Sequence, residues 1–375
     1  GSLDSDETRM VFRGVSRALY SAGHLLYRDG STLMAHAIDE SSLEFVGDPV
    51  PIAPDIPGGG ISWGGAHFGA SSDGLLVHLR GAGATNSVLV WRDREGNQIG
   101  QLGEDSGYWE PALSHDGTRV AVSEGQTSGD IWLHDLERGV RTRFTFDPAD
   151  DRSPLWSPDD ERIVFASSRE TAGEIYERPS SGQGSATLLY SSGTNITLTD
   201  WSDDGRWILF SSLSLGENIW DLMAFDMQEE KVVPVVEGPF SQQYGSLSPD
   251  GKWLAFSSGE SGRSEIYVQP FPEGAGRWMV STNGGQHPIW TRDGRELIFM
   301  GNEESDMWSV EVTGDTSISF STPTRMFVAF PKSNTGTIYT VSADGERMLL
   351  NERLPMDRNN EGASLIQNWT RILDR

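Results

Sequence analysis

A single short pattern recurs along the chain and sets the limits on what it can fold into. It reads "LSHDGTRVAVSE" from residue 113, "WSPDDERIVFAS" from 156, "WSDDGRWILFSS" from 201 and "LSPDGKWLAFSS" from 247. It continues as "WTRDGRELIFMG" from 290 and "VSADGERMLLNE" from 341, with weaker copies at 70 and 20. The turn positions Gly23, Gly74, Gly117, Asp160, Gly205, Gly251, Gly294 and Gly345 lie 43 to 51 residues apart. A repeat in the forties built of short strands indicates propeller blades. Around Gly251, "YGSLS" reads as an inner strand and "PDG" as a tight turn whose Asp and Gly tolerate positive φ. "KWLAFSS" is an alternating second strand, "EIYVQPF" a third and "GRWMVST" a fourth. No segment sustains a helical period.

The expected fold is therefore all-β: one propeller of four-stranded antiparallel blades, eight in number, with seven as the alternative. The blades are expected near 16–56, 60–103, 107–146, 151–191, 196–237, 242–282, 286–330 and 336–375. "TRMVF" (8–12) matches "TRMFV" (324–328), a fourth strand. Strand 8–14 is thus expected to complete the last blade and close the ring, leaving no open edge. Residues 1–7 read as a tag-like lead, since Gly1 and Ser2 look like a cloning remnant, and 8–375 as a single domain. On this reading the chain is a piece of something longer.

Composition narrows the function. A net charge of −26 excludes a basic nucleic-acid surface. The absence of cysteine removes disulfides, thiol chemistry and cysteine-ligated zinc. No apolar run approaches the ~18 residues of a membrane span, so no direct membrane insertion is expected, and the chain is expected to be monomeric. "GISWG" (60–64) fits the G-x-S-x-G pattern of a serine-hydrolase elbow. That elbow requires a strand-to-helix turn over a parallel sheet, and the repeat places an antiparallel strand next. The match is one of composition only.

The repeated "WSPDG…I.F.S…IY" pattern resembles the TolB-type propeller repeat. "RTRFTFDPADDRSPLWSPDD", "SGRSEIYVQPFPEGAGRWMVSTNGGQHPIWTRDGREL" and "YTVSADGERMLLN" resemble the C-terminal propeller of bacterial transmembrane serine/threonine kinases. That resemblance implies an extracytoplasmic sensor module, and this chain has neither the kinase glycine loop nor an H-R-D motif. Related repeats occur in oligogalacturonate lyases and prolyl peptidases, so the repeat specifies a fold more closely than a function.

Candidate ligand residues stand where inner strands begin, at the mouth of the channel: Trp63, His67, Trp109, Glu110, Asp151, Arg152, Gln243, Tyr244, Gln286 and His287. Carboxylates, imidazoles, aromatics and one guanidinium suit a sugar, a peptide or a cation. The first reading is a non-catalytic module that binds a protein or small-molecule ligand. The alternative is a metal-dependent hydrolase or lyase acting on an ester, lactone, phosphotriester or uronate. In it, His67 and His287 hold calcium, manganese or zinc, and Glu110 or Asp151 acts as base. No two histidines have the close spacing of a zinc pair. "FDPADDRS" (146–153) reads as a polar turn, since it lacks the glycine and closing glutamate of a calcium loop. The acidic residues Asp130, Glu174, Glu265 and Asp306, recurring before each third-strand aromatic, read as structural hydrogen-bond acceptors.

Overall fold

The computed structural model describes residues 18–373 apart from 30–31, 55, 57–67, 72–73, 81–86, 126–128, 215–218, 302–305, 315–317, 332–335 and 354–361. Every strand pairing among the described residues is antiparallel, and the one helical element is a short 3-10 turn at Trp369–Ile372. This frame has no place for a hydrolase elbow. Residues 60–64 themselves lie outside the described residues.

The described strands make eight sheets, the number of repeat units in the sequence. They divide into two compact units, Gly1–Thr85 with Pro355–Arg375, and Asn86–Leu354. The first contains a four-stranded sheet (Leu19–Ser21, His24–Asp29, Thr32–Asp39, Glu44–Ala53) and a three-stranded one (Gly362–Gln367, Leu75–Arg80, Phe68–Ala70). Leu26, Leu33, Phe68, Leu76 and Trp369 bury its core.

The second unit is a closed ring of six blades. Blades I to V begin with the inner strands Tyr108–Leu113, Asp151–Trp156, Ile196–Trp201, Gln242–Leu247 and Gln286–Trp290, each followed by its own outer strands. Blade VI combines Tyr339–Val341 and Arg347–Arg353 with Ser87–Asp93 and Gln98–Ser106 from the start of the unit. Six apolar clusters fill the six junctions. Phe165 and Ile131 meet between I and II, Leu254 and Leu222 between III and IV, and Leu349 and Val120 between VI and I.

Each inner strand hands over to the second strand through one turn chemistry. Ser114 Oγ donates to Asp116 Oδ1 at 2.7 Å and accepts from Arg119 N at 2.9 Å. Ser248 does the same with Asp250 and Trp253. The glycine that follows has φ near 70° in five of the six turns, a conformation that costs glycine no Cβ clash. Blade II carries Asp160 there instead (φ 57°). Its carboxylate accepts the backbone N–H groups of His115 and Asp116 at 2.8 Å each and ties two turns together. The recurring acidic residues are structural, as expected. Asp130 pairs with Arg143 and Asp306 with Arg325, while Glu174 and Glu265 accept loop hydrogen bonds.

The strand pairing corrects two of the expected blades. Residues 60–103 do not form one sheet: Phe68–Ala70 and Leu75–Arg80 pair with Gly362–Gln367, whereas Ser87–Asp93 pairs with Arg347–Arg353. The expected blade 336–375 is divided in the same way. Strand 8–14, expected to complete it, lies outside the described residues. The physical reason lies across the new pairing. Arg92 Nε and Nη2 donate to the two Glu352 oxygens at 2.6 and 2.7 Å, and both side chains are largely buried. The Arg347 guanidinium lies 5.3 Å from the Trp91 ring centroid, and Asn351 Nδ2 donates to Tyr108 O at 2.7 Å. These partners are unrelated by the repeat, so periodicity alone does not reveal them.

Removing one member of a buried ion pair leaves the other charged and unpaired, at a cost of about 3–5 kcal/mol, whereas an apolar pair in its place is close to neutral. R92M is therefore expected to lose about 3 kcal/mol in denaturant unfolding, and R92M/E352M to regain most of it. Equal losses in the single and double variants would mean that the pair is not what fastens blade VI.

Candidate functional site

The six inner strands line one channel, and the candidate residues among those described fall at the end where these strands begin. Trp63 and His67 lie outside the described residues. Four blades place a residue with positive φ three positions before the end of the inner strand: Glu110, Ser153, Tyr244 and His287 (φ 52–58°). Each is followed by Pro or Gly, and each coincides with a slip in register against the second strand. Such bulges re-aim a side chain, and here they set the lining of the upper channel.

The Tyr244 and His287 rings lie against each other with centroids 3.7 Å apart and their planes tilted by 31°. The Glu110 carboxylate is buried, accepting Ser153 N at 2.6 Å and Ser123 Oγ at 3.4 Å. It packs so closely on Gly336 that a Cβ there would stand 2.3 Å from Oε1. Burial raises the Glu110 pKa above the ordinary carboxylate range, opposed by Arg152 and the Ser153 N–H. Burial, with the nearby Glu110 charge, raises the Tyr244 phenol well above its usual value. Asp151 is fully buried, accepting Ser167 Oγ at 2.6 Å and Arg169 Nη2 at 2.9 Å, which fastens it into the wall. Trp109, Arg152, Gln243 and Gln286 are half-buried around the mouth. Trp109 Nε1 donates to Gly125 O at 3.1 Å, and Arg152 Nε lies 3.6 Å from Asp150.

Metal ligation would need several donors in one place. Among the described residues no group of three or more His, Asp or Glu side chains is arranged to hold a metal ion.

Three exposed phenylalanines stand on the same end of the ring. Phe146, Phe240 and Phe330 are 64%, 44% and 61% exposed. They lie in the connections from blade I to II, III to IV and V to VI, all of which lead into inner strands. Alternate connections around the mouth thus carry an aromatic ring into solvent.

The other end of the channel holds a feature that the sequence reading missed. A cavity of about 170 Å³ opens among the inner-strand turns, lined in part by His115, Asp200, Asp203 and Arg292. Asp200 Oδ2 accepts Leu247 N at 2.6 Å and Oδ1 accepts Trp201 N at 2.8 Å. Burial pushes its pKa up to about 6, against the pull of those two N–H groups. The missed signal lies in departures from the repeat. The position after each turn Ser or Thr is Pro158, Pro249 or Ala343 in three blades, and His115, Asp203 or Arg292 in the alternate three.

With this ring of repeated blades established, comparison with known proteins is direct. Residues 83–243 match the TolB beta propeller domain model. Those residues carry TolB-type β-propeller repeats. The structure of a putative TolB from Agrobacterium tumefaciens superimposes with a TM-score of 0.57 at 17% identity, covering 72% of this chain and 99% of that one. TolB from Acinetobacter baumannii gives 0.50 at 17% identity, covering 88% and 79%. Among curated relatives, the uncharacterized peptidase YuxL of Bacillus subtilis (strain 168) is 27% identical over 203 residues, 52% of this chain and 29% of that protein. Tricorn protease homolog 1 of Streptomyces coelicolor is 23% identical over 232 residues, 61% of this chain and 19% of its own length. The chain thus spans less than a third of either relative. These likenesses extend to the propeller fold alone.

Asp200 supplies a pH test of the TolB-type ring. Its folded-state pKa, about 6, exceeds the ordinary 3.8, so the folded protein holds this proton more tightly than the unfolded chain. The resulting stabilisation is complete below about pH 4 and is lost as pH rises through 6, a span of ~3 kcal/mol. The stability of wild type relative to D200N is expected to fall across that window in melting experiments. Parallel curves from pH 4 to 7 would show that Asp200 titrates normally.

Proposed function

We propose that this propeller is a non-catalytic binding module whose partner is a protein docked over the inner-strand entry face. The observation that carries the reading is the ring of Phe146, Phe240 and Phe330 around a polar mouth of Trp109, Arg152, Gln243 and Gln286. Aromatic anchors bordered by polar and arginine side chains are the composition of protein interfaces. The positions of the carboxylates support binding over catalysis: Asp151 is consumed by Ser167 and Arg169, and Glu110 by Ser153. The resemblance to kinase-linked sensor propellers and the likeness to TolB folds support an extracytoplasmic setting, with the module reporting through a larger assembly.

A photo-reactive amino acid at position 146 or 240 is expected to trap one and the same protein in cells of the source organism. The same probe at exposed Leu188, on an outer strand, should not. F146S/F240S/F330S should melt like wild type and lose the partner. Trapping equally from all three positions, or from none, would overturn the reading. Chelation separates the hydrolase or lyase alternative: EDTA is expected to leave Tm unchanged. A fall reversed by calcium, manganese or zinc would instead favour a metal centre, since a ligand at a hundredfold excess over Kd contributes about 2.7 kcal/mol.

A further inference from the structure

The turn-end cavity lies at the other end of the channel from the mouth, and its chemistry differs. Its polar groups come from three alternate blades: His115 from I, Asp203 and Asp200 from III, and Arg292 from V. They converge across the opening. His115 Nε2 lies 3.9 Å from Asp203 Oδ1, and Arg292 Nη1 lies 3.5 Å from His115 O. The other His115 nitrogen, Nδ1, is 3.2 Å from Asp160.

Two groups here depart from the pattern of the other blades. Arg292 is exposed at the rim and makes no ion pair among the described residues, in a chain with 55 acidic and 29 basic side chains. Asp200 is the one charged residue at its level of the inner wall, where the other blades place Ala112, Leu155, Ser246, Ile289 and Thr340. An adjoining chamber that also reaches His115 and Asp200 contains the Thr199 hydroxyl, buried and without a hydrogen-bond partner among the described residues. The lining between these groups mixes turn serines such as Ser246 and Ser248 with the apolar Leu113, Ile289 and Val341.

We propose that this cavity binds a small zwitterion of the α-amino acid class, its ammonium on Asp200 and Asp203 and its carboxylate on Arg292. The side chain then lies against Leu113, Ile289 and Val341. Charge-assisted hydrogen bonds of both signs select against molecules with only one charge, because an unmatched group is left unpaired in the wall. The volume of about 170 Å³ is roughly ten times what a single water needs, which suits a molecule of this size. The site is independent of the partner proposed for the mouth, at the opposite end of the same channel.

Calorimetric titration of the whole chain with each of the twenty L-amino acids, one at a time, tests the proposal. At least one is expected to bind, and its N-acetyl derivative and its decarboxylated amine are each expected to bind at least tenfold more weakly. R292Q, a change at an exposed position, should melt like wild type and lose the preference for the amino acid over the amine. D200N should weaken binding of the amino acid and the amine alike by tenfold or more. No heat with any of the twenty overturns the proposal. So does an acetylated derivative that binds as tightly as its parent, or an R292Q protein that still discriminates. Loss of the mouth partner in F146S/F240S/F330S with amino-acid binding intact would be the result expected of two separate sites.

Discussion

The packing of each blade on its neighbours holds the ring together, because a four-stranded sheet of this size buries little by itself. Outer and inner strands alternate apolar residues toward both faces, so every sheet needs a neighbour on each side. Six junctions with six apolar clusters meet that need only if the row of sheets curls back on itself. The last contact, Leu349 against Val120 and Val122, is therefore as much a part of the core as any interior one. The channel follows from the same constraint. Inner strands fanned around an axis leave a space that backbone cannot fill, and the residues chosen for that space decide its chemistry.

Much of this was legible in the sequence. The S-x-D-G turns, the alternating second strands and the recurring acidic residue before the third strand all repeat at one period, and each repeated element has a repeated structural job. The eight sheets match the eight repeat units for the same reason. The composition of blade VI was not legible, because Arg92 and Glu352 recognise each other across 260 positions through one bidentate contact. A repeat register reports what blades have in common. It does not report which strand a given strand will choose.

The site shows the same division. Glu110, Tyr244 and His287 were visible because they enter inner strands, and the structure brings them to one level of the channel through a shared bulge. Their detailed roles depended on partners that spacing does not give: Ser153 for Glu110, and Arg169 for Asp151. His115, Asp203 and Arg292 were hidden for the opposite reason. They sit inside the most regular part of the repeat, where attention falls on the Ser, Asp and Gly that stay constant. In a repeat protein the constant positions build the scaffold, and a residue that breaks the pattern is where an individual blade acquires a task.

Blade VI also bears on the order of events during synthesis. Ser87–Asp93 leaves the ribosome before the rest of the ring, and its partner Arg347–Arg353 is made more than 250 residues later. Throughout that interval it presents an unpaired edge and an apolar face, the features that invite mispairing with other chains. Blades I to V can stack progressively on one another as they emerge. The ring itself becomes a single cooperative object only when its last strand arrives, so a nascent chain halted short of residue 353 carries five formed blades and a waiting strand.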